Sequence, residues 1–334
     1  MLREITTLPA SADPLGETLH LLCLTGTLYC RSELTAPWGV DLPPLEGCMM
    51  LHVITSGGCW LEIQQDEPRW LPQGSIALVP HGVGHVLRSD RQASLRPLFD
   101  IPVEQVSERY EIMRYGGGGD FTQAICVVVR FDHVAAQQLV ALLPNVIQLN
   151  PWKDDGSAWL QDSLRFISRE AAQLRPGGET VITRLADILV IQMVRAWIDT
   201  SPDSQQGWLA ALRDPQVGRA LAVIHRIPQR AWSVAELAHD VGMSRSAFSA
   251  KFTRLVGDSV MRYLTRWRLQ LARTYLRDTS DSLARIAERI GYESEAAFCR
   301  AFKRMFGVPP GNVRHSRSVL TGARRARAAT QLPR

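Results

Sequence analysis

Three kinds of side chain in this 334-residue sequence are spaced for chemistry. His52, His81 and His85 offer three imidazoles, and a protein-bound metal needs at least three ligands, so they form a candidate metal set. Cys30, which precedes Arg31, and Cys126, inside the strand-like "FTQAICVVVRFD", are thiols. A thiol with thiolate character and exposure is open to oxidation, which makes these two the redox or sensor candidates. The third kind is cationic. In "GYESEAAFCRAFKRMFGVPP" (291–310), Phe298, Phe302 and Phe306 recur every four residues, with Arg300, Lys303 and Arg304 among them. On a helix this spacing gives one apolar face and one basic face, as expected of an element that packs on a core and meets a polyanion.

The elements that position these residues change character along the chain. From about 16 to 90, short apolar runs such as "CMMLHVI", "CWLEI" and "SIALVP" are broken by Gly, Pro and polar residues, the pattern of antiparallel strands in a sandwich or barrel. Residues 90–120 lack clear periodicity and end in "YGGGGD", read as a flexible loop; 121–132 read as a further strand. Helical periodicity follows over 157–174, where "RPGG" stops it, and over 179–199, whose wide apolar arc calls for burial. Residues 209–314 are helical throughout, and the small, basic tail 317–334 is expected to be disordered.

Charge divides along the same line. Residues 210–334 hold 23 Lys+Arg and 9 Asp+Glu, a balance of +14, whereas residues 1–209 carry −9. The C-terminal part is therefore the candidate partner of a polyanion. Within it the opening pattern has a copy. "VAELAHDVGMSRSAFSAKFTRLVG" (234–257) aligns with "LARIAERIGYESEAAFCRAFKRMFG" (283–307), matching Gly242 to Gly291, Phe248 to Phe298, Phe252 to Phe302 and Gly257 to Gly307. Each copy reads as a short helix, a glycine turn, an N-cap serine (Ser244, Ser294) and a second helix, the logic of a helix-turn-helix. Between them, 260–278 reads as one amphipathic basic helix, about 28 Å long at ~1.5 Å per residue. Successive major grooves on one side of B-DNA lie about 34 Å apart.

On these residues, "SVAELAHDVGMSRSAFSAKF" and "IAERIGYESEAAFCRAFKRMFGVPPGNVR" resemble the two halves of the DNA-binding domain of the AraC/XylS family of bacterial transcription regulators. The resemblance implies that two helix-turn-helix units on a connecting helix read adjacent stretches of double-stranded promoter or operator DNA. It also implies a homodimer, with RNA polymerase as a further partner. By position it assigns base edges to Arg245, Ser246, Ser249 and Ala250 in the first reading helix and to Glu295, Ala296 and Arg300 in the second. Lys251, Arg254, Arg262, Arg268, Lys303 and Arg304 become phosphate contacts. Arg300 is the strongest base reader, because a guanidinium can pair bidentately with guanine; the serines and alanine of the first helix favour methyl, water and phosphate contacts.

Gly74-x5-Pro80-x4-His85 resembles the second motif of a cupin barrel. The first motif departs from that pattern: His52 is present, Ile54 stands where a second histidine is usual, and the expected glutamate is absent. "CRSELTAPWG" and "RAWID" resemble the subgroup that includes a reactive-chlorine-responsive regulator of enteric bacteria, which implies oxidant sensing as one option.

The expected fold is therefore α+β and multi-domain. A cupin-like antiparallel β-barrel sensor (1–150) and a helical dimerisation segment with linker (151–207) precede an all-α DNA-binding domain of two helix-turn-helix units (208–316). The expected function is DNA-binding regulation controlled by a small molecule or oxidant, with no catalysis and no cofactor. The alternative is a metal-dependent cupin enzyme fused to a DNA-binding module. No apolar run is long enough to span a bilayer, "MLREITTLPASAD" does not resemble a signal peptide, and the six cysteines contain no CxxC, so a cytoplasmic protein with mostly free thiols is expected.

Overall fold

A computed structural model describes residues 25–131, 139–149, 158–173, 175–201 and 207–313. The strand reading of 16–24, the N-terminal segment, linker residues 202–206 and the tail 317–334 lie outside the described residues. The chain divides into two compact units, one from residues 25–131 and 140–197 and the other from 198–313.

The first unit holds β1 (Thr25–Thr35), β2 (Gly39–Leu42), β3 (Cys48–Ser56), β4 (Gly58–Ile63), β5 (Arg69–Pro72), β6 (Ile76–Val79), β7 (His85–Arg88), β8 (Arg96–Pro97), β9 (Val103–Gln105), β10 (Tyr110–Gly116), β11 (Phe121–Arg130) and β12 (Ile147–Leu149). They form a seven-stranded sheet, β12-β6-β3-β11-β1-β10-β9, and a five-stranded sheet, β5-β4-β7-β2-β8. The described strands do not close into the expected antiparallel barrel. The described sheets are two open ones, and both are mixed, because β1 pairs with β10 and β2 with β8 in parallel. Apolar alternation tells which face is buried but not which strand lies alongside or in which direction.

In β4 the alternate residues Cys59, Leu61 and Ile63 are buried, as in a strand with one covered face. From Cys48 to Ile54, β3 is buried without alternation, because it is covered on both faces. Leu34, Met50 and Val79 of the larger sheet and Val40, Leu61 and Leu87 of the smaller share the core. α1 (Ala158–Gln173) and α2 (Gly178–Thr200), the latter up to residue 197, complete the unit, and α1 packs on β3. Their buried stripes include Leu160, Leu164 and Ile167, then Ile182, Leu189 and Met193.

Residues 90–120 are more ordered than their sequence implied. β8 and β9 are short, and Tyr110–Met113 of β10 is buried without alternation, so neither offers a period to read. The stretch "YGGGGD" is tied down as well: Gly117 and Gly119 donate to the carbonyls of Thr35 and Ala36, each at 2.8 Å, and Ala36 donates to Asp120 at 2.9 Å.

The second unit is all helical: α3 (Gly207–Arg213), α4 (Val217–Arg226), α5 (Val234–Asp240), α6 (Arg245–Val256), α7 (Val260–Asp278), α8 (Leu283–Arg289), α9 (Glu295–Phe306) and α10 (Pro310–Val313). α7 carries both halves. Toward its start, Tyr263 meets Phe252 of α6 with ring centroids 5.7 Å apart, accepts from Trp208 Nε1 at 3.1 Å and pairs with His225 Nε2 at 2.7 Å. Further along, Arg273 lies over the Phe306 ring of α9 at 5.5 Å.

Candidate functional site

The two helix-turn-helix units are built by the same local devices. Ser233 and Glu236 form a reciprocal capping box at the start of α5, and Ser282 accepts from Arg285 N at the start of α8. The turns pass through Gly242 (φ 70°) and Gly291 (φ 78°), in the left-handed region that favours glycine. Gly291 has a second constraint, since a Cβ there would overlap the carbonyl oxygen of Gln229. The reading helices then start from matching caps: Ser244 accepts from Ala247 N at 3.3 Å and Ser294 from Ala297 N at 3.2 Å. Phe248, Phe252, Phe298 and Phe302 are fully buried, and Phe306 is half-buried beside Phe302. The hydrophobic stripes thus fix which side of α6 and α9 remains outside.

On that side Arg245, Ser246 and Ala250 are exposed and Ser249 is half-buried. Glu295, Ala296, Arg300, Lys303 and Arg304 are exposed on α9, as is Arg254 on α6. Arg262 is exposed too, with Asp258 at 3.5 Å. Two of the expected phosphate contacts are engaged elsewhere. Lys251 forms an ion pair with Asp214 at 2.7 Å and donates to Gln216 at 2.8 Å. Arg268 turns into the domain. Its Nε donates to Pro228 O at 2.7 Å, one terminal nitrogen to Arg230 O at 2.7 Å and the other to Gly291 O at 3.3 Å. It fastens α7 to the loop after α4 and to the turn of the second unit. Burial lowers its pKa, as expected for a guanidinium withdrawn from water. The basic character of 260–278 could not separate this inward arginine from outward ones.

The sensor candidates fall in the first unit, around a cavity of about 50 Å³ between the two sheets. Its wall is largely apolar, with Trp38, Met50, Leu87 and Met113 among its residues. One polar row crosses it. Glu111 on β10 pairs in register with Cys30 on β1, Cys30 with Cys126 on β11, and Cys126 with His52 on β3. His52 Nδ1 lies 3.2 Å from Cys126 Sγ, and its Nε2 lies 2.8 Å from His85 Nε2. His85 Nδ1 is 3.0 Å from Val83 O.

The proposed metal trio does not assemble. His81 Nε2 is held by Leu143 O at 2.8 Å, and the two ring nitrogens of His52 face different partners. Among the described residues no three His, Cys, Asp or Glu side chains are grouped to hold a metal.

Burial lowers the pKa of both His52 and His85, so both rest neutral, and it pushes the Cys126 and Cys59 thiols up to about 12. Cys30 is 5% exposed, with its Sγ 3.6 Å from Ser32 Oγ. The Cys126 and Cys59 thiols therefore rest protonated rather than as thiolates, which weighs against their ready oxidation. Glu111 and Ser32 were not singled out from the sequence: Glu111 meets Cys30 only through the parallel β1–β10 pairing, which a lone strand does not encode, whereas Ser32 is two residues from Cys30 on β1, where strand alternation was the signal that could have placed both on one face.

Residues 13–199 match the family model described as a cupin, and residues 237–316 match one described as a helix-turn-helix domain. A putative AraC-like transcription regulator of Streptomyces lividans is 35% identical over 310 residues, covering 90% of this chain and 98% of that one. The HTH-type transcriptional regulator AlkR of Acinetobacter baylyi is 31% identical, with 90% of this chain and 99% of AlkR covered. The RCS-specific HTH-type transcriptional activator RclR of Escherichia coli is 26% identical over 90% of this chain and 97% of its own.

Proposed function

This chain belongs to the AraC-like transcription regulators, with a cupin domain ahead of its helix-turn-helix domain, and from that premise we propose how its parts divide the work. α6 and α9 enter adjacent major-groove segments of one DNA duplex while α7 holds them apart. The observation that carries this reading is the pair of capped helices, each buried through two phenylalanines and seated on one 19-residue helix. Arg300 reads a base edge, Glu295 and Ala296 shape that contact, and Lys303, Arg304, Arg254 and Arg262 meet phosphates. Arg245, Ser246, Ser249 and Ala250 form the lighter reading surface of the first head. Lys251 and Arg268 support the heads from within the protein.

The cupin domain acts as the sensor, and its ligand occupies the cavity between the sheets. The small volume and apolar wall favour a small, uncharged molecule over an ion. α1 and α2 provide the dimer contact, a reading supported by exposed Phe166 and Ile188 on helices whose other faces are buried. The ligand then shifts the placement of paired DNA-binding units, and with it promoter affinity and the approach of RNA polymerase. No catalytic step is needed, and the site of action is the cytoplasm. Among the described residues no helix is long and apolar enough to cross a membrane.

The test is binding to DNA selected from a random pool. Wild-type protein should retain one sequence class with a steep salt dependence, and Arg300→Ala should lose about 1–3 kcal/mol and relax one base position. Unchanged affinity and preference in Arg300→Ala would remove Arg300 from the reading surface.

A further inference from the structure

We propose that Cys126 is a nucleophile that captures a small, uncharged α,β-unsaturated carbonyl compound inside the cupin cavity, with His52 as its base. This deepens the sensing role proposed above and rests on it.

The proton positions follow from one carbonyl. Val83 O can only accept, so His85 Nδ1 carries the hydrogen directed at it. The neutral His85 ring then presents Nε2 as an acceptor, and His52 Nε2, 2.8 Å away, must be the donor. That leaves His52 Nδ1 without a proton, 3.2 Å from Cys126 Sγ, so the thiol donates to it. His52 is thereby held in the tautomer a general base requires, with His85 as its positioning residue. The Ser32 hydroxyl also hydrogen-bonds Cys126, a donor for charge developing on the sulfur. Of the other thiols on the cavity wall, Cys30 and Cys59 are 5% and 0% exposed, whereas Cys126 keeps accessible surface.

The cavity selects the reactant. At ~10–15 Å³ for each water-sized group, its volume of about 50 Å³ takes roughly three to five heavy atoms. An apolar wall disfavours a charged reactant, and it equally disfavours a displacement that releases an anion. Addition to an activated double bond releases nothing. Sγ bonds to the β-carbon, and the π pair of the C=C bond moves toward the α-carbon and carbonyl as an enolate. The thiol proton passes to His52 Nδ1 and then to the α-carbon. The product is a neutral thioether, formed without an oxidant, reductant or leaving group. Because the resting thiol is protonated, its reactivity depends on proton removal by His52 during attack.

Cys299, half-buried on α9 in the DNA-binding unit, is an internal reference. Full-length protein is treated with methyl vinyl ketone or with vinylsulfonate, an anionic acceptor of similar size, and adducts at each cysteine are quantified by peptide mass spectrometry. The Cys126-to-Cys299 adduct ratio should be at least about a hundredfold higher with methyl vinyl ketone, because an unpaired anion resists transfer into an apolar cavity. His52→Gln should slow the Cys126 adduct by about a hundredfold, the usual scale of a general base, and leave Cys299 unchanged. Should that variant fail to fold, as judged by circular dichroism, the reagent comparison on wild-type protein decides. Equal ratios for the two reagents, or an undiminished Cys126 rate in folded His52→Gln, would overturn the proposal. Butanone, the saturated analogue, separates the two layers. A rise in melting temperature with butanone, together with no Cys126 adduct from methyl vinyl ketone, overturns covalent capture and keeps the sensing cavity; no rise and no adduct overturns both.

Discussion

Arg268 offers a sharp division between a residue that holds the DNA-binding unit together and one that meets DNA. Replacing it with alanine removes donors to Pro228 O and Arg230 O at 2.7 Å and to Gly291 O at 3.3 Å. Taking the two short, charge-assisted bonds at about 1.5 kcal/mol each and neglecting the long one, the loss is about 3 kcal/mol. For a domain of this size that lowers the melting temperature by more than about 10 °C, readable by scanning calorimetry of the full chain. Arg268→Lys should recover little, because an ammonium cannot span three carbonyls in the fork geometry. The salt dependence of DNA binding supplies the second readout. A phosphate contact contributes about 0.9 to the slope of log K against log[salt], so Arg304→Ala should lower the slope by about 0.9 with little change in stability. Arg268→Ala should leave the slope of the folded protein unchanged. A stable Arg268→Ala protein, within about 0.5 kcal/mol of wild type, whose slope has fallen by about 0.9 would refute the reasoning and return Arg268 to the phosphate set.

Gly242→Ala should cost about 1–2 kcal/mol for its left-handed backbone alone, whereas Gly291→Ala should cost about 1–3 kcal/mol more because its Cβ meets Gln229 O; urea titration of both variants checks the order. Ser244→Ala and Ser294→Ala should each lose about 1 kcal/mol by removing the cap of a reading helix, measured in the same way. Burial raises Asp187 on α2 to about 6 despite Arg184 nearby, so the folded state holds its proton more tightly than the unfolded state. Its contribution to stability is therefore complete below about pH 4 and is lost as pH rises through about 6, and Asp187→Asn should stabilise the protein at pH 7.5 by as much as about 2 kcal/mol. Melting curves from pH 4 to 7.5 should fall more steeply for wild type than for Asp187→Asn; parallel curves would contradict the assignment.

The C-terminal unit was legible because its signals are local. The apolar period placed a helix at 260–278, matching α7 residue for residue, and the serine, glycine and phenylalanine pattern located caps, turns and buried faces before any contact was known. The direction of each cation was not legible. Arg268 and Arg262 lie on the same basic helix, yet one fastens three carbonyls and the other is exposed. That difference depends on Pro228, Arg230 and Gly291, which approach only in the folded domain. The cupin unit was read in outline alone. Buried strands without alternation, such as Tyr110–Met113, carry no period, and parallel partners such as β1 and β10 are distant in sequence. Three histidines suggested a metal, but sequence proximity does not determine where rings point. His81 and His85 are four residues apart, and only His85 meets His52.

The two-headed reading of DNA is tested most directly by methylation interference on a selected operator, which reports each guanine N7 that must stay accessible in the major groove. With α6 and α9 held on one 19-residue helix, two interference windows are expected on one face of the duplex, centred about 10 base pairs apart for each bound chain. The Arg300→Ala protein should lose interference only in the window read by α9. A single window per chain, or two windows on opposite faces of the duplex, would contradict it.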